Sequence, residues 1–564
     1  MPAIDREFDY LVPSTWDDGR SQRLRVGSMV RIPLAGRRVG GWITATDIDP
    51  RPGVALSELA KLSGIGPDSE MLDLATWAAW RWAGRRVSLL RAASPPRMVA
   101  AIPERGPRVE VPTGPLDVFE EAFGLDVATV RVPPADDGVA VSLAACRRGD
   151  ALIVVPDAAR ARRLAIALRR AGVRVALAPD DWGMAAGGAT VVGTRSAAWM
   201  PMPDLAAVVV IDEHDEALQE ERTPTWHARD VVLERARRSG VPAVMATPVP
   251  SLEALRAGRL LRLSRSQERD AWPIVEVLDR RQDDPTRAGP FSERLTPHLR
   301  GSHRVVCVLN RKGRSRLLAC GTCGELVRTE DGTRAMVQRD DRLEAPDGSE
   351  PRPVVCANCG TTRLKNLRVG VDRAREELAA LVGEDVAEIT ADSGEAPTTR
   401  VVIGTEAVLH RMDAADVVVF LDLDQELLAP RQRTVEQALG LVARGARLLG
   451  GRDRGGRLVL QTRQPDHEVI RAVQRADPSI VAIAERDRRQ AVGSPPYGAQ
   501  AAISGLGGEE FVVAFGEPPG IEIRGPLDGR WLLKAASHEP LLDALAATAR
   551  PSTRVRVEVD PLRV

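Results

Sequence analysis

The sequence predicts a multidomain α/β protein. A small β-rich domain comes first, then two lobes on parallel sheets, with a metal-binding insertion in the second, and a small α/β domain last. Three observations carry this. Buried-strand runs alternate with helix-period stretches over residues 136–265 and again over 300–475, as in parallel sheets with crossover helices. Two Cys-x-x-Cys pairs interrupt the second series. The 564 residues are enough for roughly three to five domains.

Residues 1–95 open with Phe8–Pro13, Ser28–Leu34 and Gly41–Ile48. These runs alternate apolar and polar and are broken by Gly and Pro, as in a small barrel or sandwich. A Trp- and Arg-rich helix is predicted over Leu72–Ala93, whose Arg81, Arg85 and Arg86 would face nucleic acid or plain solvent. Residues 96–135 are Pro-rich and read as a linker with a helical patch near Leu116–Phe123.

The first lobe, 136–265, has a continuous apolar strand at Ala151–Pro156. A helix follows over Asp157–Gly172 with Asp157 as its N-cap. Further strands fall at Val173–Pro179, Thr190–Gly193, Ala206–Asp212 and Val241–Ala246, with a helix at His227–Gly240. The second lobe, 266–475, has strands at Arg304–Asn310, Thr399–Thr405, Asp416–Asp424 and Arg457–Thr462. Residues 476–564 form the last domain, with a helix at Pro540–Ala549 and a closing strand at Thr553–Pro561.

Composition narrows the function. No apolar run reaches the roughly 18–20 residues of a membrane span, and the first residues lack a signal-peptide pattern. Formal net charge is +0, which excludes a general polycation. Of the 78 basic residues only Lys61, Lys312, Lys365 and Lys534 are lysines. Arginine forks suit phosphate, and a GC-rich coding sequence gives the same bias. Six cysteines, four of them in the two pairs, fit a reducing cytoplasm. Cys146 and Cys307 stand alone in apolar surroundings and read as packing residues.

The insertion, 318–362, carries Cys320, Cys323, Cys356 and Cys359, with 32 residues between the pairs. Four thiolates can hold one tetrahedral Zn²⁺ in a closed, structural site. A glycine follows each pair (Gly324, Gly360), which lets backbone amides turn toward sulfur. The stretch between is polar, without an apolar period, and needs a cross-link to stay ordered.

Several stretches, in order, resemble the PriA family of bacterial replication-restart proteins. They are Asp5–Pro13, Val30–Ile43, Val191–Ala197, Val208–Asp215 with Gln219–Val231, Val244–Leu255, Val308–Gly324, Glu485–Gly498 and Val555–Val564. The resemblance implies two RecA-like lobes and an N-terminal domain that captures a DNA 3′ end around Phe8, Asp9, Tyr10 and Gly36. It implies branched DNA, primosome proteins, the replicative helicase and single-stranded DNA-binding protein as partners, and no membrane. Asp212 and Glu213 occupy its magnesium- and water-handling acidic motif. The family's insertion holds eight cysteines and two zincs, so one Zn²⁺ carries over here. Its winged helix is absent or reduced, because 96–135 is too short for it.

One departure decides the expected activity. A phosphate loop needs paired glycines and a lysine before Ser or Thr. Residues 134–150 read PADDGVAVSLAACRRGD, and no lysine occurs from Leu62 to Arg311. Leu441–Arg452 only loosely echoes the family's arginine-finger motif, leaving Arg444 and Arg447 as finger candidates or surface arginines. The expectation is a restart protein that binds forks and promotes helicase reloading without helicase activity, with ATP and Mg²⁺ in doubt. The alternative is an ATP-driven 3′→5′ DNA helicase.

Overall fold

The computed structural model describes residues 4–16, 19–50, 53, 55–107, 111, 118–283, 289–309, 318–339, 341–345, 348–366, 371–390, 393 and 397–562. In the N-terminal domain Met29–Leu34 and Arg37–Trp42 form a hairpin, with Lys61–Gly64 on the other side of the first strand. Leu34 pairs with Arg37, so Ala35 and Gly36 alone turn the chain, both at positive φ, 48° and 74°. That turn matches the twist of the strands. The hairpin ends at Trp42, which leaves only Gly41 and Trp42 of the predicted strand Gly41–Ile48. Tyr10–Leu11 pairs in parallel with Ser57–Glu58, and Trp16, Val30 and Leu59 are buried at the centre.

The predicted helix Leu72–Ala93 is two helices, Ser69–Arg81 and Arg86–Ala93. Asp68 caps the first by accepting from the Met71 amide. At its other end Ala83 turns left-handed at φ 44°. The Ala83 N–H donates to the Trp80 carbonyl and the Gly84 N–H to that of Ala79. This is a Schellman end with alanine in the place glycine usually takes. Gly84 is required one position later, because a Cβ there would lie 2.4 Å from Pro224 of the first lobe.

The first lobe is a seven-stranded parallel sheet. Its order is Arg259–Arg262, Val127–Arg131, Ala243–Thr247, Leu205–Ile211, Asp150–Val154, Thr190–Gly193, Val175–Leu177. Val127–Arg131 falls inside the stretch read as linker, so this sheet draws on chain before residue 136. Five residues after a Pro-rich stretch show no period. The helical patch is Val118–Ala122, while Leu116 and Asp117 lie outside the described residues. Asp157 caps its helix as expected, at 2.7 Å from the Arg160 amide.

The second lobe is a six-stranded parallel sheet. Its order is Ile274–Asp279, Arg457–Thr462, Val417–Phe420, Val305–Val308, Val401–Gly404, Val386–Ile389. The first and last of these add to the four strands expected. The insertion follows Val305–Val308 and is closed at its base by Leu318–Cys320 against Leu364–Asn366. The stretch between the cysteine pairs is not featureless. Val337–Arg339, Arg342–Glu344 and Arg352–Pro353 form a small sheet over Leu318, Val327, Met336 and Leu343. Strands of two or three residues leave no periodic signal. Residues 310–317, leading into the insertion, and 340, 346 and 347 within it lie outside the described residues.

The C-terminal domain is an antiparallel sheet, Ile521–Leu527, Arg530–Ala535, Ala499–Ser504, Arg556–Val559, with helices Gly508–Phe515 and His538–Ala547. One core joins it to the front of the chain. Met71, Leu74 and Trp82 pack with Trp199 and Val208 of the first lobe and with Phe511, Leu541 and Val559. At the edge of this core, half-buried Asp560 accepts from Arg81 at 2.9 Å and lies 2.6 Å from His538 Nε2. Burial works against its charge, but Arg81 and His538 outweigh it and hold the carboxyl at about 2, below its ordinary 3.8. A depressed carboxylate stabilises the fold above its unfolded value and loses that contribution as pH falls through its folded value. Asp560→Asn is therefore expected to be less stable by about 2 kcal/mol near neutral pH. Its melting temperature should converge with that of the wild type as pH drops from about 4 to 2, which a melting series over pH reads directly.

Candidate functional site

Strand Val127–Arg131 runs through residues 132–138 into helix Val139–Arg148. Strand, loop and helix in that order are where a phosphate loop sits. Here the loop is filled from within. Asp136 accepts from the Gly138 amide and Asp137 from the Val139 amide, both at 2.9 Å. These are the helix-start donors a phosphate would take. Arg160 donates to the Asp136 carbonyl at 2.9 Å and Arg447 to the Pro134 carbonyl at 2.8 Å.

Both guanidiniums also meet Asp212, which follows strand Leu205–Ile211 and is 2 % exposed. Arg160 pairs with its Oδ2, and Arg447 donates to the same oxygen at 2.6 Å. Burial alone would push this carboxyl up. The two cations outweigh it and hold Asp212 far below the usual carboxylate range. Glu213 is fully buried and accepts from Arg229 at 3.1 Å, the Ser251 amide at 2.8 Å and the Ser251 hydroxyl at 2.7 Å. Its oxygens are engaged in holding the lobe. Asp215 accepts from Arg444 at 2.5 Å, and Arg444 also pairs with Glu406.

Arg444 and Arg447 both come from helix Thr434–Leu449 of the second lobe. They are bridges between the lobes, not surface arginines. Beside Glu213 and His214 the cleft narrows to about 40 Å³, room for water rather than a nucleotide. A triphosphate with Mg²⁺ does not fit this donor set. The loop presents two carboxylates and no lysine, and the nearby guanidiniums are already committed to Asp212.

A second ring of charge ties the lobes beside the first. Glu253 accepts from Arg433 at 2.5 Å and Arg489 at 3.4 Å. Arg489 also pairs with Glu436 and, at 2.7 Å, with Glu485. Glu436 accepts from the Leu252 amide at 3.2 Å, so a second-lobe carboxylate caps a first-lobe helix, Leu252–Ala257.

The insertion brings its four cysteines together, with every Sγ within 4.8 Å of the others. Gly324 and Gly360 adopt positive φ, 74° and 73°, and their amides donate to the carbonyls of Cys320 and Cys356. The Thr322 and Cys323 amides point at Cys320 Sγ at 3.3 and 3.4 Å. The two lone cysteines are buried, which pushes the Cys146 thiol up to about 11 and Cys307 up to about 12.

Of the four residues expected around a DNA 3′ end, Phe8 is 45 % exposed and lines an open cavity beside Leu34. Tyr10 packs against the domain core and donates to the Pro33 carbonyl at 2.8 Å, fixing the hairpin. Gly36 is at the hairpin tip, and Asp9 is half-buried. Among the lining residues of that cavity only Phe8 belongs to the expected set. Arg81 turns to Asp560, and Arg86 pairs with Glu7 at 2.7 Å, so neither forms a free basic face.

Residues 1–95 match the family model described as the PriA 3′ DNA-binding domain. The probable replication restart protein PriA of Mycobacterium leprae is 28% identical over 602 residues, covering 94% of this chain and 90% of its own. That of Mycobacterium tuberculosis is 26% identical over 659 residues, covering 100% and 99%. The chain is thus similar to PriA proteins over nearly its whole length. The replication restart protein PriA of Haemophilus influenzae is 26% identical over 342 residues, which span 56% of this chain and 47% of that protein.

The PriA-like stretches acquire physical roles in this frame. Glu485–Gly498 supplies Glu485 and Arg489 of the second ring, and Val555–Val564 supplies Asp560. The sequence reading missed Arg160, Arg433 and Arg489, since one arginine among many carries no mark of what it will meet. It also read Asp422 and Asp424 as strand. They follow strand Val417–Phe420, where Asp424 accepts from the Thr462 hydroxyl and the Arg463 amide. Burial and the charge of Asp424 push Asp422 up to about 6. Arg489→Ala leaves Glu253, Glu436 and Glu485 sharing buried charge with less compensation. It is expected to destabilise the protein by about 3–5 kcal/mol, read as a lowered midpoint of urea unfolding.

Proposed function

We propose that this PriA-like chain recognises branched DNA at abandoned replication forks and promotes reloading of the replicative helicase, without hydrolysing ATP itself. The N-terminal domain would take the 3′ end. Phe8 offers a ring for the terminal base, and Asp9 a carboxylate that can accept from the 3′-hydroxyl. Arginines would hold phosphates, so binding should weaken steeply with salt. The insertion would present a rigid surface to primosome proteins and to single-stranded DNA-binding protein, in the cytoplasm. Four clustered thiolates suit Zn²⁺, which when bound cross-links the two cysteine pairs.

The observation that carries the non-hydrolytic reading is the neutralisation of Asp212 by Arg160 and Arg447. In an ATPase that carboxylate serves the metal and an arginine serves the phosphate. Here each satisfies the other. One observation favours the second reading, an ATP-driven 3′→5′ helicase. Asp212 Oδ1 is buried and has no hydrogen-bond partner among the described residues, and a cation could take it.

ATP hydrolysis measured with forked DNA separates the two. The expected rate is no higher than that of the double variant Asp212→Asn, Glu213→Gln. DNA-stimulated turnover abolished in that variant would establish the second reading instead. Metal content is checked by mass spectrometry. One zinc per chain is expected, with loss in Cys356→Ser, and two zincs or none would count against the site.

A further inference from the structure

A groove of about 360 Å³ lies between the first lobe and helix Ser479–Val492, which follows the second lobe. One wall is Leu252 and Leu255 of helix Leu252–Ala257, with Leu260 of the edge strand Arg259–Arg262. The other is Pro478, Ala482 and Ile483. Helix Ser479–Val492 is inverted relative to an ordinary surface helix. Its buried residues are Val481, Glu485 and Arg489, and the last two enter the ring of charge between the lobes. Ala482, Ile483 and Arg486, at helical spacing, face the groove instead. A surface helix normally turns its polar side to water. Ile483 is 52 % exposed, in a concave and mostly apolar trough. Such a surface gains by being covered, and its volume is that of a binding site.

The charge around the trough says what would cover it. The lining holds three guanidiniums and no carboxylate. Arg131 is already neutralised, donating to Glu268 at 2.5 Å and to the Ser479 hydroxyl at 2.8 Å. The other two are exposed. Arg256 lies with its Cζ 5.3 Å from the centre of the Tyr497 ring and has no carboxylate partner among the described residues. Arg486 pairs with the adjacent Asp487 at 2.8 Å, an exposed contact of the kind that water and salt readily exchange. Arg256 stands on the first-lobe wall and Arg486 on the opposite one. Positive charge on both rims of an apolar trough suits an apolar anchor with carboxylates on either side of it.

We propose that this groove docks an internal segment of a partner protein in which large aliphatic residues are flanked on both sides by Asp or Glu. The segment would touch the first lobe and helix Ser479–Val492 together, across the seam that Arg489 closes from beneath. The proposal uses neither the 3′-end domain nor the nucleotide cleft, so it stands apart from the reading of both.

Fluorescence anisotropy on the full chain tests it with three labelled, C-terminally amidated peptides. They are Glu-Asp-Leu-Leu-Asp-Glu, Lys-Arg-Leu-Leu-Arg-Lys and Glu-Asp-Ser-Ser-Asp-Glu. The first is expected to bind saturably, and the other two at least about tenfold more weakly. Ile483→Asp and Arg256→Glu should each weaken the first peptide about tenfold. Both residues are exposed, so the melting temperature should stay close to that of the wild type. The double variant Arg256→Glu, Arg486→Glu should transfer the preference to the basic peptide, which a purely structural role of these arginines would not do. Equal binding of the acidic and basic peptides overturns the proposal. So does the absence of saturable binding by the first peptide, or binding that both single variants leave unchanged. Saturable binding of dodecanoate without binding of the peptide would assign the groove to a small amphipathic carboxylate and overturn the protein partner.

Discussion

Asp212 sits in the interior with its charge intact, and two guanidiniums make that possible. A lone carboxylate at 2 % exposure would protonate or stay wet. Arg160 approaches from its own lobe and Arg447 from the other, and both meet one oxygen. Further cross-lobe contacts follow the same logic. Arg444 reaches Asp215, Arg433 reaches Glu253, and Arg489 joins Glu253 of the first lobe to Glu436 of the second. The cleft between the two sheets is thereby a seam of opposite charges. In a motor the same seam opens and closes around a nucleotide that supplies the anion.

A different force holds the ends of the chain. The N-terminal helices, one face of the first sheet and the C-terminal sheet share one apolar core. Asp560, Arg81 and His538 border it with a half-buried polar contact. The hydrophobic term is non-directional, so the ion pair fixes which edge faces which. The cavity between Phe8 and Arg550 exists because that docking leaves a gap where the hairpin and the helix turn do not quite meet.

Much of the architecture was legible in the sequence because parallel strands buried on both faces are written as plain apolar runs. Asp150–Val154 and Val417–Phe420 are of this kind. The cysteine pairs and their glycines were legible for a separate reason, since ligand spacing and positive φ each demand particular residues. What escaped was whatever depended on a distant partner. Val127–Arg131 became a strand because Arg259–Arg262 and Ala243–Thr247 flank it. The helix expected over Leu72–Ala93 breaks at Ala83, which turns left-handed in the place glycine usually takes. The absent lysine could be read; the arginines standing in its neighbourhood could not, because Arg160 and Arg447 are separated by about half of the chain.

The cross-lobe seam also has a thermal character. Stripping water from ions grows less costly on warming, while the gain from burying hydrocarbon levels off. Contacts such as Arg444 with Asp215, placed where counterions penetrate poorly, would keep their grip under heat that loosens ordinary packing. Heat and ionic stress should therefore act first on the periphery of this molecule and last on the junction of its two halves.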